Sequence, residues 1–157
     1  MKNGLTALML LLSFIASPLM AQVRIQMGAR QYKAKEKITA RVINSTDRTI
    51  AYCVGIALFG WSDSGKIVPD LTESPFEVLH KSESGKWGFL ADGVDMGTSS
   101  RVGSLEPGES EEYSFKVRST GEKRLVFEYM FDDGSNMDCS DPYMKMKKVR
   151  SRTFMVR

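Results

Sequence analysis

The stretch Leu125-Val126-Phe127-Glu128-Tyr129-Met130-Phe131 decides the fold class. Leu125, Phe127, Tyr129 and Phe131 recur at every second position. A β-strand turns successive side chains to opposite faces, so these four share one face and mark it as a buried side. Asp132-Asp133-Gly134 then ends the run. The same period of two spreads outward through the chain. Tyr113, Phe115 and Val117 alternate with Ser114 and Lys116, and Ile38, Ala40 and Val42 alternate with Thr39 and Arg41. Val23, Ile25 and Met27 alternate with Arg24 and Gln26. Ile50, Tyr52 and Val54 form one face of Thr49 to Val54, which turns Cys53 to the other. The expected core therefore includes Ile38, Val42, Phe115, Leu125, Phe127 and Tyr129.

Turn chemistry separates these runs. In Leu105-Glu106-Pro107-Gly108-Glu109-Ser110, proline presets φ and glycine accepts a positive φ, which specifies a type II turn. Asn44-Ser45-Thr46-Asp47 is a second turn cluster, because these side chains bond to their own backbone. Ser82-Glu83-Ser84-Gly85 joins Phe76 to His80 with Lys86 to Leu90 and predicts a hairpin. The apolar run Ile56 to Trp61 ends at Ser62-Asp63-Ser64-Gly65. Pro69 to Pro75 reads as loop, and Ala91 to Ser100, rich in Gly and Asp, reads as irregular. Lys148 to Arg157 reads as a last, basic strand. Convincing helical periodicity with caps is missing throughout. Seven or more short strands with frequent turns predict an all-β chain: an immunoglobulin-like two-sheet sandwich with a hairpin insertion in the middle.

Residues 1–21 have the grammar of a secretory signal peptide. Lys2 supplies the positive start, Leu5 to Leu12 with Phe14 and Ile15 the apolar stretch, and Pro18 and Ala21 the approach to cleavage before Gln22. The competing reading is an uncleaved anchor, since Asn3 to Val23 carries no charge. With cleavage, residues 22–157 make a single domain, secreted or periplasmic, without stable membrane insertion. A formal net charge of +3 is too balanced to imply nucleic acid as a partner. Two cysteines, Cys53 and Cys139, are expected to bridge outside the cytosol, with two buried thiols as the alternative.

Tyr32 to Cys53, Pro75-Phe76-Glu77-Val78, Lys86-Trp87-Gly88, Val94-Asp95-Met96-Gly97 and the Leu105 to Ser110 turn together resemble uncharacterised secreted bacterial proteins with an immunoglobulin-like β-sandwich. Part of the pattern also resembles the BsuPI-type proteinase-inhibitor sandwich, in its "Val-x-Asn" strand and later Leu-x-Pro-Gly turn. The resemblance implies an export-competent sandwich and carries over no activity. This chain departs from the pattern at Ala34-Lys35, where the turn calls for glycine.

Chemistry-bearing motifs are sparse. The chain has no G-x-S-x-G, S-x-x-K or H-E-x-x-H, and its single histidine, His80, stands at the end of a hairpin strand. No cofactor is implied. Asp132, Asp133, Asn136, Asp138 and Asp141 crowd a short loop and are a weak calcium candidate, without EF-hand spacing. Trp61 and Trp87 are candidate stacking surfaces for a sugar, with core packing as the plainer reading. Lys145, Lys147, Lys148, Arg150, Arg152 and Arg157 form a basic tail suited to an anionic envelope polymer, or to guarding an edge strand against aggregation. Asp92 and Asp95 lie in the irregular segment 92–100, expected to contribute a contact surface. Asn44-Ser45-Thr46 matches a glycosylation sequon. The expectation is a non-enzymatic binding module whose partner, a protein or envelope polymer, meets end loops or an open sheet edge. The alternative is a proteinase inhibitor acting through Ser62 to Ser74 or Ala91 to Ser100.

Overall fold

The computed structural model describes residues 21–63, 66–90, 94–134, 136–141 and 143–157, with side chains at 57–71 and 91–98 left out. The signal-peptide reading of residues 1–21 thus falls almost wholly outside the described residues. The chain forms β1 (Val23–Met27), β2 (Gln31–Tyr32), β3 (Lys37–Asn44), β4 (Ile50–Asp63), β5 (Lys66–Ser74) and β6 (Phe76–Lys81). It continues with β7 (Trp87–Phe89), β8 (Val94–Leu105), β9 (Ser110–Lys116), β10 (Gly121–Phe131), β11 (Lys147–Arg150) and β12 (Phe154–Val156). The described residues contain no helix.

Two sheets result. One is three-stranded, in the order β1-β3-β9. The other is built around β10, which pairs with β12 and β11 along one side and with β6 and β4 along the other. β4 also carries β8 and β5. The inner faces meet in two clusters. Val23, Val42 and Tyr113 of the smaller sheet pack with Ile50, Tyr52, Val54, Phe127 and Tyr129 of the larger. Met27, Ile38, Ala40 and Phe115 pack with Leu125, Phe154 and Val156. Phe76 bridges the sheets, its ring 6.0 Å from both Tyr113 and Phe115. Each core residue expected from the alternation is buried.

The turns follow their chemistry. Gly108 has φ +82°, and Glu109 N donates to Glu106 O at 3.1 Å. Lys35 has φ 67°, so a side chain stands at the left-handed position where glycine was expected. Asn44 is fully buried. Its Nδ2 donates to the carbonyls of Arg48, Leu105 and Glu106, and its Oδ1 accepts from Thr46 N and Oγ1. It ties two turns together, and a glycan cannot be carried on it in the folded protein.

Three readings need correction. Residues 69–74 are strand, since β5 pairs with β4 from Lys66 to Ser74. Among the described residues, β5 has β4 alone as a ladder partner, and proline is tolerated on such an edge. Residues 94–100 are strand as well: β8 pairs with β4, with a register shift at Leu58/Phe59. Local composition favoured a loop, but the long ladder with β4 overrides it. Small residues also have a packing role there. Gly103 faces Tyr52, whose ring would sit 2.8 Å from an added Cβ. Finally, the basic tail is two strands. Arg150 pairs with Val126 and Phe154 with Lys123, so residues 151–153 oppose only Arg124 and Leu125. That bulge shifts the alternation and turns Arg152 aside.

Candidate functional site

Among the described residues, β1 has a ladder partner, β3, on one side only. Gly28 N donates to Thr39 O, and Ser45 N donates to Gln22 O. In an antiparallel ladder this phase aims the backbone groups of even-numbered residues at β3. The N–H and C=O of Val23, Ile25 and Met27 therefore point out of the sheet edge. Their side chains do the opposite work: Val23 and Met27 are buried, and Ile25 packs against both core clusters. Arg24 and Gln26 are exposed on the outer face. The edge is thus anchored by its side chains, and Val23 and Met27 keep only 3% and 5% of their whole surface exposed, main chain included.

A groove of about 550 Å³ runs along this edge, lined by Arg24, Ile25, Gln26, Met27 and Arg152. Its far wall comes from the bulge between β11 and β12, and β11 approaches β1 across the seam between the sheets. Arg152 Nη2 donates to Met27 O at a long 3.4 Å. A smaller hollow of about 120 Å³ lies against the other face of β1, beside Gly28, Thr39, Arg41 and Glu112. Among the described residues, the groove lining holds the guanidiniums of Arg24 and Arg152 beside Ile25, Gln26 and Met27. Such a surface can bind anions.

The sequence-derived candidates lie elsewhere. Cys53 and Cys139 form a disulfide with Cα atoms 5.7 Å apart, pinning the segment after β10 to β4. Beside it is a cleft of about 260 Å³ lined in part by Cys53, Pro75, Glu77, Glu128 and Met146. Burial, then the Glu128 carboxylate, holds the Glu77 carboxyl above its ordinary range, with Lys148 opposing them. Glu128 is ion-paired with Lys148. Trp87 is half-buried on β7, with the Arg124 guanidinium 4.5 Å from its ring centre. Trp61 lies on β4 and Asp95 on β8, with side chains outside the described set, and Asp92 is outside the described residues.

The acidic loop closes on itself. Asp132 Oδ1 accepts from Gly134 N, Asp138 Oδ1 from Ser140 N and Oγ, and Asp141 Oδ1 from Tyr143 N. The Ser140 hydrogen bonds hold the Asp138 carboxyl below its usual range. Asp133 and Asn136 are exposed, and among the described residues no three acidic, His or Cys groups gather as for a metal. The basic tail divides: Lys148 pairs with Glu128, Lys147 sits 4.5 Å from the Phe131 ring centre, and Arg152 turns to β1. His80 is a half-buried hairpin residue opposite Lys123. The β1 edge was missed as a specific site, since alternation shows a strand but not its neighbours.

No family model matches this chain. No curated protein matches it either. Among solved structures, it is similar to an ASH/PapD-like domain of human CEP192 (PapD-like domain 7), at 12% identity and a TM-score of 0.30, over 93% of this chain and 94% of that one. At that score the likeness carries no argument, and the fold rests on the sheets and core described above.

Proposed function

We propose that this protein is an exported, non-enzymatic binding module that meets its partner, a protein or an envelope polymer, at the groove beside β1. The observation that carries the reading is that groove, of about 550 Å³, lined by the exposed side chains of Arg24, Gln26 and Arg152. The core-facing residues of β1 hold the edge in strand geometry before binding, which lowers the ordering cost. Export rests on the signal-like residues 1–21 and agrees with the Cys53–Cys139 bridge, since such bridges persist in oxidising compartments.

Site-directed photo-crosslinking in an exporting cell tests the reading. A photoreactive residue replacing exposed Gln26 should give a discrete adduct with a partner protein. The same residue replacing Glu83, at the hairpin tip, should not. Equal adducts from both positions would count against the β1 edge. N-terminal sequencing of the exported chain should begin at Gln22, and a start at Met1 would contradict cleavage.

A further inference from the structure

A hollow of about 190 Å³ lies beside the pair of strands β2 and β12, lined in part by Arg30, Gln31, Glu122, Thr153, Met155 and Arg157. It shares no lining residue with the groove beside β1. We infer that this hollow binds a phosphate group, free, on a small ester or at the end of an envelope polymer. The inference is independent of the groove reading. Strands β2 and β12 run parallel, with Met155 opposite Gln31 and Val156 opposite Tyr32. Met155 N donates to Arg30 O at 2.9 Å, and Arg157 N donates to Tyr32 O at 2.9 Å. The ladder therefore fixes the backbones of Arg30 and Arg157 at its two ends, with the Gln31–Met155 pair between them.

The polar groups here are suited to an anion. Arg30 and Arg157 are exposed and make no ion pair among the described residues. A guanidinium offers N–H donors and no acceptor. Thr153 Oγ1 already accepts from Arg124 Nη2 at 3.2 Å, which leaves its own O–H to donate. Gln31 is exposed and adds a side-chain amide. Among the described residues, the carboxylate in the lining is that of Glu122, and Lys81 holds it at 2.7 Å. Arg157 O is engaged by Ala34 N at 2.7 Å.

Charge and size favour phosphate over carboxylate. A phosphate monoester carries about −1.5 to −2 charges at neutral pH and three strong acceptor oxygens. That matches two guanidiniums, a hydroxyl and an amide. A carboxylate brings a single charge, which one guanidinium fork satisfies. Pockets for whole drug-sized ligands run to roughly 300–1,000 Å³. The hollow is smaller and suits one group with the first atoms behind it, against the half-buried Met155.

Amide NMR of the oxidised protein, titrated at constant ionic strength, tests the site. The probes are inorganic phosphate, acetate, a hexose phosphate and a poly(glycerol phosphate) chain ending in a phosphomonoester. Phosphate should shift Gln31, Thr153 and Met155 saturably, and acetate should bind at least about threefold more weakly, the scale of one exposed ion pair. R30E and R157E change exposed side chains, and each should weaken phosphate by a similar factor. R24E, in the groove, should leave it unchanged. Tighter binding of the hexose phosphate or of the polymer than of inorganic phosphate supports the site and assigns the source of the group. Equal binding of acetate and phosphate overturns the choice of phosphate. Saturable shifts that R30E and R157E leave unchanged overturn the site, as does the absence of saturable shifts. Phosphate binding lost in R24E and kept in R30E would move the anion to the β1 groove, overturning this site and leaving the groove reading standing.

Discussion

Replacing Asn44 with Asp changes one atom type and should nearly unfold the domain at neutral pH. The side chain is fully buried, so the variant has no water to turn to. Oδ1 still accepts from Thr46 N and Oγ1. The other atom, now an oxygen, faces the carbonyls of Arg48, Leu105 and Glu106 at 2.8, 3.0 and 3.1 Å. The amide has two N–H donors for those three acceptors, so the loss is about two hydrogen bonds, or roughly 1–3 kcal/mol. Protonating the carboxyl restores one donor. An unfolded Asp ionises near about pH 3.9, so keeping it protonated at pH 7 costs about 4 kcal/mol at about 1.4 kcal/mol per unit. The folded group has the raised pKa, so stability falls as pH rises above the unfolded value. The variant should lose about 4–6 kcal/mol at pH 7 and recover about half of that near pH 5, within a total stability of about 5–15 kcal/mol. Urea denaturation of both proteins at the two pH values, with the disulfide intact, measures it. A loss below about 1 kcal/mol at pH 7 would refute the buried role of Asn44, as would a loss that does not change with pH.

Gly103→Ala places a methyl against the Tyr52 ring on the neighbouring strand and should cost about 1–3 kcal/mol in the same assay; an unchanged midpoint would mean β8 is out of register there. Lys35→Gly relieves the left-handed backbone at φ 67° and should stabilise by up to about 1 kcal/mol, whereas a clear loss would show that the lysine side chain outweighs its strain. Alkaline pH should destabilise the fold. Burial first, and then the hydrogen bond to Glu111, holds the Tyr52 phenol far above its ordinary range, and burial also raises Tyr113. The unfolded chain releases those protons from about pH 10, so stability falls above that point by about 1.4 kcal/mol per unit for each phenol kept protonated. Tyr52→Phe should flatten that fall, and an identical slope in the variant would place the loss elsewhere.

The strands whose side chains alternate cleanly were legible residue by residue. β3, β9 and β10 bury the face that period two assigns, and Gly108 takes the dihedral its turn requires. The cysteine bridge was expected from a signal-like start and an even cysteine count, and Cys53 and Cys139 do form it. Legibility failed where partners rather than composition decide. Residues 94–100 look like a loop but are held as strand by β4, and Pro69 sits in β5 because an edge lacks a second ladder. The tail read as one strand because a bulge leaves no mark in a run of alternating charges. Edge or centre is likewise a property of pairing, and for that reason β1 looked no different from β3. Arg24 and Gln26 were visible as an exposed face, but Arg152 reaches them only through the fold.

Photo-crosslinking from the β1 groove tests the binding reading most directly. In the exporting cell, a photoreactive residue replacing the exposed Gln26 should give a discrete adduct with a partner protein, and the same residue replacing Glu83 should give none. Equal adducts from both positions, or none from Gln26, would contradict the account.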